Sequence, residues 1–161
     1  MAVCSEIDGW VFECFDLDTP ATEFGKLEPI VNLWRSKFEG AKVPSWASFD
    51  FYDFKGWHGK VTKASIISYD PYDWQYDIFG TEFVELYGKD WTNKKGSDAE
   101  SIHVDYDASV EFYKMACEKC LITRASGKVP WYGLRHKHIE IVELPLSNDG
   151  TTVTDIIEFI L

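Results

Sequence analysis

Positive charge is scarce in this chain: 16 lysines and arginines stand against 27 aspartates and glutamates, a formal net charge of -11. A surface of that sign repels phosphate backbones, which argues against direct nucleic-acid binding. Long apolar runs are missing too, and no stretch approaches the roughly 18 residues of a membrane-spanning helix. The start, MAVCSEIDGW, lacks the basic region and apolar core of a signal peptide, so a cytoplasmic protein away from membranes is expected. Cysteine is sparse, with 4 residues (Cys4, Cys14, Cys117, Cys120), and free thiols are the expectation for such a chain. Nucleophile-elbow, Walker, HExxH and dinucleotide fingerprints are absent, so the motifs point to no enzyme. No repeat or Gly/Ser linker marks a second domain.

What is present is core-forming material. Of the 161 residues 45% are hydrophobic and 16% aromatic, with 7 Trp, 8 Tyr and 11 Phe. A chain of this size buries roughly two-thirds of its unfolded surface, which suffices for a core without disulfides or metal. Residues 1–26, broken by Gly9, Thr19 and Pro20, read as an N-terminal arm, and 27–161 as one domain. Leu27, Ile30, Val31, Trp34 and Phe38 recur at helical spacing before Gly40, which predicts a helix over 27–38. The segment after Pro44, with Ser48 and Asp50 as caps, reads as helical turns packed through Phe51, Phe54 and Trp57. Residues 63–69 and 74–80 flank the turn Asp70-Pro71-Tyr72-Asp73 and predict a β-hairpin. In its second strand the alternation of Trp74, Tyr76 and Ile78 with polar residues turns those three inward. Thr81 to Tyr87 reads as a short helix ended by Gly88. A longer helix over 109–122 carries Val110, Tyr113, Cys117, Cys120 and Leu121 on one stripe. Strands are predicted over 129–136, 138–146 and, after the turn Ser147-Asn148-Asp149-Gly150, 152–161.

Trp34 followed by Pro44, Ala47, Phe49 and Asp50; the strand Tyr76-Ile78 running into Gly80-Thr81; the loop Gly88-Lys89-Asp90-Trp91-Thr92-Asn93-Lys94; and Glu143-Leu144-Pro145-Leu146-Ser147 before Asp149-Gly150 stand in a telling order. Over about residues 27–161 the chain resembles a PAS-like family of short bacterial sensory proteins. The resemblance implies an α+β fold: a PAS-like, five-stranded antiparallel sheet cupping several helices, with an N-terminal helix. It also implies a sensory module that binds a small ligand or a protein partner without catalysis. Two positions depart from the family's pattern. Asp77 stands where the family carries Arg, which puts any anion contact in doubt, and Asn93 replaces a loop glycine, a swap that a left-handed backbone tolerates.

The remaining chemistry is weighed against plain structure. Carboxylates at Asp50/Asp53 and Asp70/Asp73 suit turn capping better than catalysis. Cys117-x-x-Cys120 with His136-x-His138 would compose a Cys2His2 zinc set, yet the spacing is unlike a zinc finger and the cysteines sit on a buried stripe. The helix over 109–122 contains no histidine, and His58 and His103 lie off it, so haem has no anchor there. The sequence names no cofactor. A pocket between sheet and helices is expected to be lined by Trp74, Tyr76, Ile78, Tyr113, Cys117, Trp131, Ile139 and Ile141, for an apolar small molecule. Two other readings stay open: an α+β isomerase or hydratase with a buried acid as base, and a ligand-free scaffold forming a homodimer through the N-terminal helix.

Overall fold

Aromatic and β-branched residues dominate the segments that pair into sheet, and a computed structural model of the chain shows where they go. The structure describes all residues except 1, 8, 41, 100–105 and 129–136. Seven antiparallel strands form one sheet: β1 (Ala2–Ile7), β2 (Trp10–Phe15), β3 (Val61–Tyr69), β4 (Tyr72–Phe79), β5 (Ile122–Lys128), β6 (His138–Leu146) and β7 (Asp155–Ile160), in the spatial order β1-β2-β5-β6-β7-β3-β4. Among the described residues three short α-helices accompany it: α1 (Glu28–Ser36), α2 (Thr81–Tyr87) and α3 (Tyr106–Glu118).

The two faces of the sheet are packed differently, and the period-two alternation of β6 and β7 decides which residue meets which environment. Val142, Leu144 and Leu146 of β6 and Ile157 and Phe159 of β7 join Ile30, Val31 and Trp34 of α1 in the main core. The Trp34 indole donates a 3.0 Å hydrogen bond to the Pro145 carbonyl, which satisfies its one polar atom inside that core. Arg124 reaches across to Glu13 at 2.7 Å, and Lys63 is held by Asp77 at 2.5 Å and Asp155 at 2.6 Å. The opposite face is covered by α2 and α3, and there the packing leaves a cavity.

Fold class departs from expectation. In place of a five-stranded PAS-like sheet with an N-terminal helix, the protein has a seven-stranded antiparallel sheet and a mostly β fold, and it opens on a hairpin. β2 was hidden because Phe12, Glu13, Cys14 and Phe15 are all buried, so no alternation shows. Glu13 earns its buried place only through Arg124, 111 positions away in sequence. β5 falls where the sequence suggests the end of a helix and a loop. Its Gly127 lies under the Trp10 ring, where an added Cβ would sit 2.7 Å from the indole. The expected strand over 129–136 lies outside the described residues.

Other segments follow their local signals. Asp50 and Asp53 form a reciprocal cap on residues 51–54, with Asp53 also 2.9 Å from Lys37. Asn93 adopts a left-handed φ of 63°, and the loop docks on β4 through a 2.7 Å bond from the Asn93 amide to the Tyr76 carbonyl. Gly80, which joins β4 to α2, is required by close approach: a Cβ there would lie 2.6 Å from the carbonyl oxygens of Gly59 and Val61. Backbone does not yield as a side-chain tip does, so Gly80→Ala is expected to destabilise the protein by at least about 2 kcal/mol, read by denaturant unfolding.

Candidate functional site

A cavity of about 230 Å³ lies between the sheet and α3, somewhat below the range of roughly 300–1,000 Å³ typical of small-molecule sites. Its walls come from strands toward opposite edges of the sheet: Trp10 and Phe12 on β2, and Trp74 and Tyr76 on β4. Four strands separate β2 from β4, which in a flat sheet is roughly 24 Å at about 4.8 Å per spacing. The sheet must therefore curl around the cavity. Two glycines let the tryptophans seat: Trp10 over Gly127, and Trp74 over Gly96, where an added Cβ would meet the indole at 2.3 Å.

Across the floor runs a row of directly paired residues, Thr123 on β5, Glu143 on β6, Glu158 on β7 and Thr62 on β3. Directly opposite residues share a face with their Cβ atoms about 5 Å apart, so the two glutamates stand side by side. Glu143 is 6% exposed and accepts a hydrogen bond from the Thr123 hydroxyl, and the Tyr113 hydroxyl approaches the same carboxyl from α3. Burial pushes its pKa up to about 7 against these two stabilising contacts. Glu158 has no hydrogen-bond partner among the described residues, and it keeps its partial exposure toward the cavity. Burial first, and the neighbouring Glu143 charge second, hold its carboxyl well above the usual range. Beside it the fully buried Thr62 hydroxyl makes no hydrogen bond to any described residue. Two adjacent carboxyls in such surroundings share protons near neutral pH and do not both ionise.

The surrounding hydroxyls and thiol stay protonated. Desolvation raises Tyr76 and Tyr113 well above the ordinary phenol value, with the glutamates adding to the effect. The Tyr72 hydroxyl lies 3.4 Å from Cys117 Sγ, and burial pushes the Cys117 thiol up to about 12, so it is no nucleophile at neutral pH.

Of the residues expected from sequence, Trp74, Tyr76, Tyr113, Cys117 and Ile141 line this cavity. Ile139 is buried instead in the cluster of Phe79, Phe83 and Leu86 beneath α2. Ile78 is 39% exposed on the other face. A bulge between the pairs Lys63↔Ile78 and Ala64↔Tyr76 inserts Asp77 and inverts the alternation there. Trp131 and His136 lie outside the described residues. His138 is exposed at the start of β6, and among the described residues no group of three or more His, Cys, Asp or Glu side chains is placed to hold a metal ion. Asp73, expected in a turn, lies on β4 and accepts from the Ser97 amide and hydroxyl at 3.0 and 2.7 Å, which ties the 96–99 turn to the strand.

Sequence reasoning overlooked Glu143, Glu158, Thr123, Tyr72 and Trp10. A signal existed for the acids: each is flanked on both sides by apolar residues, Ile141-Val142-Glu143-Leu144 and Ile156-Ile157-Glu158-Phe159. A solvated strand face would carry polar residues at every second position.

No protein-family model, curated protein or solved structure matches this chain. The PAS-like resemblance rests on the sequence motifs alone, and the chemistry of the site on its geometry.

A carboxyl whose pKa is raised on folding favours the folded state below the unfolded value and loses that contribution as pH rises through the folded value. For Glu143 the window runs from about 4.5 to about 7. Glu143→Gln and Glu158→Gln are therefore expected to be more stable than the parent at pH 8, by about 1–3 kcal/mol, with the difference vanishing near pH 4. Thermal or urea unfolding at a series of pH values reads this directly.

Proposed function

We propose that this protein is a small-molecule-binding module whose ligand seats in the cavity between the curled sheet and α3. The observation that supports this is the cavity itself, with aromatic walls and, among the described residues, its charged groups confined to one row of its floor. Ligand sites combine apolar walls with a few placed polar groups in this way. The PAS-like resemblance adds a sensory role, in which occupancy is passed on through the helices that cover the cavity. α3 is suited to this because Tyr113, Ala116 and Cys117 face the cavity while its other side faces outward.

One observation favours a second reading, a proton-transferring enzyme of the isomerase or hydratase type. A carboxyl with a pKa near 7 inside an apolar cavity is poised as general base or acid. Binding without turnover supports the first reading, and turnover the second. The scaffold reading has less support: α1 buries Ile30, Val31 and Trp34 in the chain's own core, which leaves little apolar surface for a partner.

Filling the cavity tests the proposal. Ala125 lines it from β5, and Ala125→Leu adds bulk to that wall. The variant is expected to keep its unfolding temperature within a few degrees and to lose at least about tenfold in affinity for indole, a small neutral aromatic probe followed by NMR titration. Unchanged indole binding by the folded variant would place the site elsewhere.

A further inference from the structure

We infer that the ligand is a small organic cation, an amine whose ammonium group sits against Glu143 and Glu158 while its apolar body lies among Trp10, Trp74, Tyr76 and Tyr113. This inference rests on the small-molecule reading and names the class of ligand.

Charge is the first support. The two glutamates are adjacent in the pairing of β6 with β7, and among the described residues no Lys, Arg or His lines the cavity. The nearest basic side chains on the neighbouring strands are already engaged on the opposite face, Lys63 by Asp77 and Asp155, and Arg124 by Glu13. Among the described residues the pair thus lacks a counter-charge, and a buried charge needs one. Hydrogen bonding is the second. Glu143 is supported by Thr123, but Glu158 and the buried Thr62 hydroxyl beside it are left without partners among the described residues. An ammonium group offers three donors to such a place. The walls are the third support, because indole and phenol faces attract a desolvated cation as well as an apolar body.

The groups that face the pair are Thr123 from β5, Thr62 from β3, Tyr76 from β4, Tyr87 from α2, and Tyr113 and Cys117 from α3. All are neutral at neutral pH, so among the described groups the proton that moves on binding is the one the two carboxyls share. A cation favours the doubly ionised pair, binding releases that proton, and affinity rises with pH until the pair is ionised without help.

Titration calorimetry with three probes of matched body tests this: 2-phenylethylamine, 2-phenylethanol and 3-phenylpropanoate, at pH 6, 7 and 8 and in buffers of different ionisation enthalpy. The amine is expected to bind at least about tenfold more tightly than the alcohol, with the carboxylate weakest. Its affinity should rise severalfold from pH 6 to 8 with proton release to the buffer. Glu143→Gln and Glu158→Gln, checked for folding by thermal unfolding, should lose the amine's advantage. An alcohol or carboxylate that matches the amine, or an amine preference that survives both substitutions, overturns the cation inference and leaves the binding module standing. Failure of all three probes to bind the parent protein overturns both.

Discussion

The pairing of β6 with β7 is the constraint on which the rest depends. Each strand presents alternate residues to two environments, and both environments are closed. Val142, Leu144, Ile157 and Phe159 go to the dry core under α1, while Ile141, Glu143, Ile156 and Glu158 go to the cavity under α3. A slip of one residue in either strand would drive a glutamate into the dry core and a large apolar side chain into the cavity, so the register is held from both sides. Trp34 reinforces it by tying α1 to the Pro145 carbonyl at the C-terminal end of β6.

Curl turns this register into a site. Trp10 and Trp74 lie on strands far apart in the sheet, yet they face one space, and each needs a glycine beneath it to come close enough. The ion pairs on the other face, Lys63 with Asp77 and Asp155 and Arg124 with Glu13, hold neighbouring strands together. Asp77, the departure from the PAS-like pattern, thus serves as a strand-to-strand tie. The bulge that carries it turns Ile78 outward.

The cavity floor is a place where the fold gives up stability. Two carboxyls beside each other in apolar surroundings oppose folding at neutral pH, and two leucines would pack there more favourably. Groups with displaced titration gather where a protein binds or reacts. Among the described residues the Thr62 hydroxyl and the neighbouring Glu158 have no hydrogen-bond partner, which fits the same picture of an interior arranged for something other than its own stability.

Much of the local structure was legible from the chain alone, because the signals act over a few residues. The 28–36 helix follows from the spacing of Ile30, Val31 and Trp34, the β3–β4 hairpin from its turn, the reciprocal cap from Asp50 and Asp53, and the left-handed residue 93 from the tolerance of Asn. Five of the cavity residues were likewise within reach, since an aromatic in an alternating strand or on a helix stripe has only one face to bury. Tertiary structure alone decided the number of strands, the curl, and the meeting of Glu143 with Glu158. β2 is buried on both faces and shows no period. Glu13 is tolerable only beside an arginine over a hundred residues away. Two lone glutamates in separate apolar strands become a pair only through strand order and register, which are set by contacts distant in sequence.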